Sequence, residues 1–130
     1  MSAARQAAGE QGERIAEEWL SARGWEILER RFRNGHRDID LVVAREAEEG
    51  QERTVAFVEV KARASDSFGG PLAAVNWQKQ RELCRSARVW ISRFQRPGDN
   101  YRFDVVGVIT GRSPATVQHV ENAFLLPNRS

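Results

Sequence analysis

Two stretches, Asp38-Ile39-Asp40-Leu41-Val42-Val43-Ala44 and Thr54-Val55-Ala56-Phe57-Val58-Glu59-Val60-Lys61, decide the fold. The second is an almost unbroken apolar run that ends abruptly in charge, the pattern of a central strand buried on both faces. The first alternates: Ile39, Leu41 and Val43 are expected to point one way, and Asp38, Asp40 and Val42 the other. The charged, glycine-containing segment from Arg45 to Arg53 suits a hairpin connection longer than two residues, so the two strands can pair antiparallel. Glu59 and Lys61 are two apart and share a face. If Asp40 lies on that face, two carboxylates and an ammonium meet at the sheet.

Upstream, Gly9 to Arg23 reads as a helix, with Ile15, Trp19 and Ala22 flanked by Ala16 and Leu20 as its apolar stripe. Gly24 stands where a helix C-cap glycine is expected, and Trp25 to Arg33 reads as a strand. Asn34-Gly35 signals a turn. Downstream, Pro71 suits the first turn of a helix running to about Arg93, closed by Pro97-Gly98. Tyr101 to Ile109 is a further strand and Thr116 to Val120 a short final one. The order is helix, three strands, helix, strand and a last short strand. It predicts an α/β domain over residues 9–124 with a mixed sheet flanked by helices. Residues 1–8 and 125–130 are expected to be loose ends.

At 130 residues the chain suits one domain with its own core. Its single cysteine, Cys84, cannot form an internal disulfide, it has no long apolar run, and Met1 to Gly12 lacks a signal-peptide layout. These point to a soluble, cytoplasmic protein with no membrane partner. The net charge of +2 barely favours a polyanion. Of the 20 basic residues, only Lys61 and Lys79 are lysine. A GC-rich genome explains the arginine excess. Lysine, unlike arginine, is a compact charge whose pKa shifts readily, which suggests that these two positions need it.

The chemistry of phosphodiester hydrolysis calls for such a group. Mg²⁺ is held by one or two carboxylates plus waters and phosphate, and a nearby lysine can orient or deprotonate the attacking water. The competing reading is structural, with Glu59 and Lys61 paired at a strand end and Asp40 answering an arginine. Spacing alone leaves both open. Lys79 falls in the apolar stripe of Leu72, Val75, Leu83 and Ala87, so it either snorkels or points into a site. Arg81, Arg85 and Arg88 form a ridge on another face of that helix, either solvated or able to track a phosphate backbone. Glu13 is not distinguished by spacing from Glu10, Glu17 and Glu18. Asp38 sits at the strand entrance, where a solvated role fits it. His36 and His119 lack metal-ligand spacing. Cys84 reads as a small core residue, and Asp104 as a local partner of Arg102.

An aspartate on one strand followed by Glu-x-Lys on the next resembles the PD-(D/E)xK nuclease superfamily. The chain as a whole resembles the YraN-like family of small bacterial endonuclease-like proteins. The matching residues are Gly12-Glu13 with Ala16, Asp38-Ile39-Asp40-Leu41, Phe57-Val58-Glu59-Val60-Lys61, Phe68-Gly69-Gly70, Lys79, Ala87, Arg102-Phe103-Asp104-Val105-Val106 and Asn122-Ala123-Phe124. The resemblance implies a restriction-endonuclease-like fold with an α-β-β-β-α-β core. It implies metal binding by Asp40, Glu59 and the Val60 carbonyl, and casts Lys61 as the catalytic lysine. It draws Glu13 into the site, by analogy with archaeal Holliday-junction resolvases, and turns Lys79 toward it. Arg37-Asp38 departs from the family's usual Gly-Glu, so Asp38 is not carried over as a ligand.

The reading that follows is a Mg²⁺- or Mn²⁺-dependent endonuclease acting on DNA, with branched or processed intermediates as candidate substrates. Its alternatives are a non-catalytic nucleic-acid-binding module of the same fold and a protein–protein adapter using the arginine-rich helix. Oligomeric state is left open, a homodimer included.

Overall fold

The computed structural model describes residues 3–46, 52–65, 75–111 and 113–124. The element order is α1 (Ala3–Ser21), β1 (Glu26–Phe32), β2 (Ile39–Glu46), β3 (Arg53–Arg63), α2 (Trp77–Phe94), β4 (Asn100–Ile109) and β5 (Thr116–Phe124). The five strands form one mixed sheet in the order β1-β2-β3-β4-β5. Among the described residues only β3 and β4 pair in parallel, and α2 lies between them in sequence, supplying the crossover that parallel neighbours require. The α/β class, the mixed sheet and its two flanking helices agree with a restriction-endonuclease-like fold.

The apolar run of β3 divides between two cores. Val55 and Phe57 pack under α2 with Leu83, Cys84, Ala87 and Trp90. Ala56 and Val58 pack under α1 with Ala16 and Leu20. Burial of one strand on both faces is why its sequence shows no polar alternation until Glu59. Gly24, at φ 89, ends α1, and Gly35, at φ 88, makes the turn before β2. Both conformations are easy only for glycine. Among the described residues no helix is long and apolar enough to cross a membrane.

Several boundaries differ from the sequence expectation. The first helix begins at Ala3 rather than Gly9, because alanine is the strongest helix former and Ala3, Ala4, Ala7 and Ala8 outweigh Gly9. The second begins at Trp77, where the Asn76 side chain accepts a hydrogen bond from the Lys79 N–H at 2.9 Å. Pro71 and Leu72 lie outside the described residues. Val75 precedes the helix yet stays buried in the α2 core. The final strand runs on to Phe124, whose ring stacks on Phe103 at 4.5 Å. Ile39 joins the α2 core instead of following Leu41 and Val43 to the α1 side. The β2–β3 ladder ends at Leu41↔Val58, and alternation lapses where β2 parts from β3.

Candidate functional site

That parting of strands is where the acidic residues gather. Beyond Leu41↔Val58 the next inward N–H on β3 belongs to Val60, and it donates to Asp40 Oδ2 at 2.8 Å. A side chain thus replaces a backbone acceptor at the fork. In an extended strand the N–H and C=O of one residue point to the same edge, so the Val60 carbonyl also faces the gap. By alternation with Phe57, Glu59 and Lys61 fall on the α2 side of β3, and Asp40 lines one cleft with Glu59 and the α2 residues Glu82 and Arg85. From α2, one turn past its cap, Lys79 Nζ reaches Glu59 Oε1 at 2.8 Å. Lys61 Nζ lies 3.3 Å from the same oxygen. Glu59 and Lys61 do pair, but Asp40 takes a backbone N–H and not an arginine.

The electrostatics are those of crowded carboxylates. Burial raises the Asp40 carboxyl, the Glu59 charge adds to it and Glu13 contributes, while the Val60 N–H and Lys61 oppose; the result is about 7. Lys61 is lowered from its ordinary value, first by burial and then by Lys79, against the pull of Glu59. Arginine could not respond in this way, which gives a physical content to the rarity of lysine in this chain.

Glu13 comes in from α1. Gly12 lets it approach: a Cβ at Gly12 would lie 2.7 Å from the Ala62 Cβ, so helix and strand touch just past Lys61. Arg31 clasps Glu13 with Nη2 at 3.0 and 3.2 Å from the two carboxylate oxygens. Pairs Arg30↔Leu41 and Phe32↔Ile39 flank Arg31, which places it opposite Asp40. Its φ of 49 breaks the strand's alternation, and so both Arg30 and Arg31 reach α1, at Glu17 and Glu13. Sequence reasoning missed Arg31, because a left-handed arginine within a strand has no compositional signal.

An open cleft of about 650 Å³ is lined at its floor by Asp38, Asp40 and the largely buried Glu59. The turn residues Gly35 to Arg37 form one wall, and Glu82 and Arg85 of α2 the other. Hydrogen bonds strap these walls together: Arg37 Nη2 donates to Glu82 Oε1 at 2.9 Å and Oε2 at 3.3 Å, and the Ser86 hydroxyl donates to the Arg37 carbonyl. Arg37 thus has a partner that a glycine would lack. Asp38 pairs with Arg33 at 3.4 Å. Arg81, Arg85 and Arg88 are all exposed along α2, with only Arg85 lining the cleft.

Other polar residues serve the framework. Asp104, on the α1 side of β4 with Val106, accepts from Arg102 Nη2 at 3.1 Å and from the Asn122 N–H at 3.0 Å, and pairs with His119 at 2.7 Å. The Arg102 partner was expected, whereas His119 and Asn122 depend on a strand register that the sequence does not reveal. Cys84 is buried in the α2 core.

Among the described residues no three acidic, histidine or cysteine side chains are grouped to hold a metal. Two carboxylates and a carbonyl are instead the donor set of a hard cation that keeps much of its water, as Mg²⁺ and Mn²⁺ do. By donor type alone Asp40, Glu59 and the Val60 carbonyl could hold such an ion, although Glu59 Oε1 here faces Lys61 and Lys79.

Residues 12–108 match the uncharacterised protein family UPF0102. Similar proteins include a UPF0102 protein of Chlorobium phaeobacteroides strain BS1, 37% identical over 123 residues that cover 90% of this chain and 93% of the relative. Another, from Alkaliphilus metalliredigens strain QYMF, is 39% identical over 116 residues, covering 89% and 96%. A third, from Chlorobium chlorochromatii strain CaD3, is 41% identical over 122 residues, 89% of each. The matched span contains Glu13, Asp40, Glu59, Lys61 and Lys79.

Proposed function

The chain belongs to the uncharacterised protein family UPF0102, and for it we propose a divalent-metal-dependent endonuclease of PD-(D/E)xK type that hydrolyses phosphodiester bonds in DNA. The observation that carries this reading is the convergence of Asp40, Glu59, Lys61 and Lys79, from β2, β3 and α2, beside an open cleft. A carboxylate pair held together by burial is strained by its own charge, and a cation relieves that strain. Single-cysteine composition supports a reducing compartment, the cytoplasm, as the place of action.

In this reading Asp40, Glu59 and the Val60 carbonyl would hold Mg²⁺ or Mn²⁺. When bound, the ion acidifies a water and neutralises charge on the phosphoryl oxygens. Lys61, its proton already loosened by burial, orients the attacking water or accepts its proton. Lys79 fixes the Glu59 carboxylate through its 2.8 Å contact. Glu13, held by Arg31, adds negative charge to the site and so favours a cation. Arg85 at the cleft meets the phosphate backbone, with Arg81 and Arg88 continuing its track.

One observation favours a second reading. Glu59 Oε1 already accepts two ammonium groups, which suits a nucleic-acid-binding module without catalysis. Linear, flap and four-way-junction DNA and RNA, incubated in Mg²⁺ and in Mn²⁺ beside Asp40→Asn and Lys61→Met, separate the two. Metal-dependent cleavage lost in both variants is the expected result. Cleavage indifferent to both substitutions would belong to a contaminant and defeat the proposal. Binding without cleavage would establish the module, and no binding at all would leave a protein–protein adapter.

A further inference from the structure

Two large apolar side chains stand exposed on α2, Trp77 at 69% and Phe94 at 45%. They occupy the first and last positions of the helix, roughly 25 Å apart at the helical rise, so they do not form one apolar patch. Trp77 has charged company instead. The Arg81 guanidinium lies over its ring, 4.7 Å from the centroid. Positions 77, 81, 85 and 88, at spacings of four, four and three, follow one another along the helix surface. The indole therefore heads the arginine ridge, and its third member, Arg85, lines the cleft that holds Asp40 and Glu59.

Phe94 and Trp77, being separated, do not make the contiguous apolar surface on which a protein partner docks. A lone exposed indole beside cations offers a flat π surface together with positive charge. Nucleobases stack on such a surface without regard to sequence, while the arginines meet the phosphates. The cation held over the ring also restrains it before any ligand arrives. In a duplex the base faces are covered by their neighbours. Only an unpaired or splayed nucleotide can present one to Trp77.

We infer that Trp77 and Arg81 form a base-stacking platform that selects DNA with unpaired nucleotides and delivers the adjoining strand along Arg85 to the cleft. The platform rests on the proposed nuclease reading for its purpose, but its binding chemistry does not need the metal. Trp77 is mostly exposed, so its removal leaves the core intact.

The test is fluorescence anisotropy of a labelled oligothymidylate and of a blunt duplex of equal length, with the full chain in EDTA and no cleavage occurring. Wild type is compared with Trp77→Ala and Trp77→Tyr, with far-UV circular dichroism of each variant as the folding control. The expected result is an oligothymidylate affinity about five- to a hundred-fold weaker in Trp77→Ala, largely restored in Trp77→Tyr, with duplex affinity unchanged. Equal losses on both ligands, no loss on either, or no binding by wild type would overturn the platform. So would a Trp77-dependent self-association, seen as a mass shift with concentration, that left oligonucleotide affinity untouched. Active cleavage beside an unaltered Trp77→Ala affinity would sink the platform and leave the nuclease. Trp77-dependent affinity without any cleavage would do the reverse.

Discussion

Replacing Asp40 with Asn should stabilise the metal-free protein at alkaline pH, although it removes a central residue of the proposed site. The folded chain raises the Asp40 carboxyl from 3.8 to about 7, through burial first and the Glu59 charge second. Each tenfold change in proton affinity is worth about 1.4 kcal/mol, so the ionised form is disfavoured in the fold by roughly 4 kcal/mol as an upper bound. Asparagine keeps an oxygen for the Val60 N–H and carries no charge. The sign follows from proton counting. Between pH 4 and 7 folded wild type retains a proton that the unfolded chain has released, so its stability falls as pH rises and levels off above 7. Near pH 4 the acid and the amide are both neutral, and the two proteins should match. At pH 8 the variant should lead by roughly 2–4 kcal/mol. Urea unfolding in EDTA, followed by circular dichroism from pH 4 to 8.5 for both proteins, measures the difference, in which carboxyls that do not interact with position 40 cancel. A difference that did not vary with pH, or a variant less stable than wild type at pH 8, would refute the electrostatic account of the site.

Three further outcomes test the frame around the site. Gly12→Val places a branched side chain where even a Cβ lies 2.7 Å from the Ala62 Cβ, and thermal unfolding should show a loss of about 1–3 kcal/mol. Arg53→Met leaves Asp99 buried without the guanidinium that binds both its oxygens at 2.9 and 2.7 Å, and denaturant unfolding at pH 7 should register a loss of about 3–5 kcal/mol. Burial alone would raise the Asp99 carboxyl, but Arg53, the Arg96 N–H and the Tyr101 hydroxyl hold it below its ordinary value. Wild type therefore loses that stability as pH falls through the acid range, and Arg53→Met should show a shallower acid decline in the same titration. Asn76→Ala removes the acceptor for the Lys79 N–H and should reduce stability by about 1 kcal/mol in urea unfolding.

The sheet was legible because its central strand is written in apolar residues on both faces, and Glu59 interrupts that run where the ladder with β2 ends. The arginine excess made Lys61 and Lys79 conspicuous, and both meet at one oxygen of Glu59. What stayed hidden depends on backbone geometry and register. Arg31 faces α1 only because its φ is 49, a conformation that propensity assigns to glycine or asparagine. Asn76 as a cap was masked by Pro71, an equally sound helix start. Asp104 gathers His119 and Asn122 from across β4–β5, through a register shift between Phe103 and Val105. Glu13 stood out from its acidic neighbours only by resemblance. Its physical distinction lies in Gly12, which brings its turn of α1 against β3.

Asp40 also acts as a rung. Its carboxylate closes the hydrogen bond to the Val60 N–H that a backbone carbonyl would otherwise close, so position 40 joins two strands whether or not anything is ever cut. An inert descendant of this chain would remain under pressure to keep aspartate or asparagine there, since either supplies the acceptor. Among the described residues, the contacts of Glu59 and Lys61 are with side chains. If the proposed chemistry is lost in a relative, the change should therefore be visible first at positions 59 and 61, with the acceptor at position 40 retained.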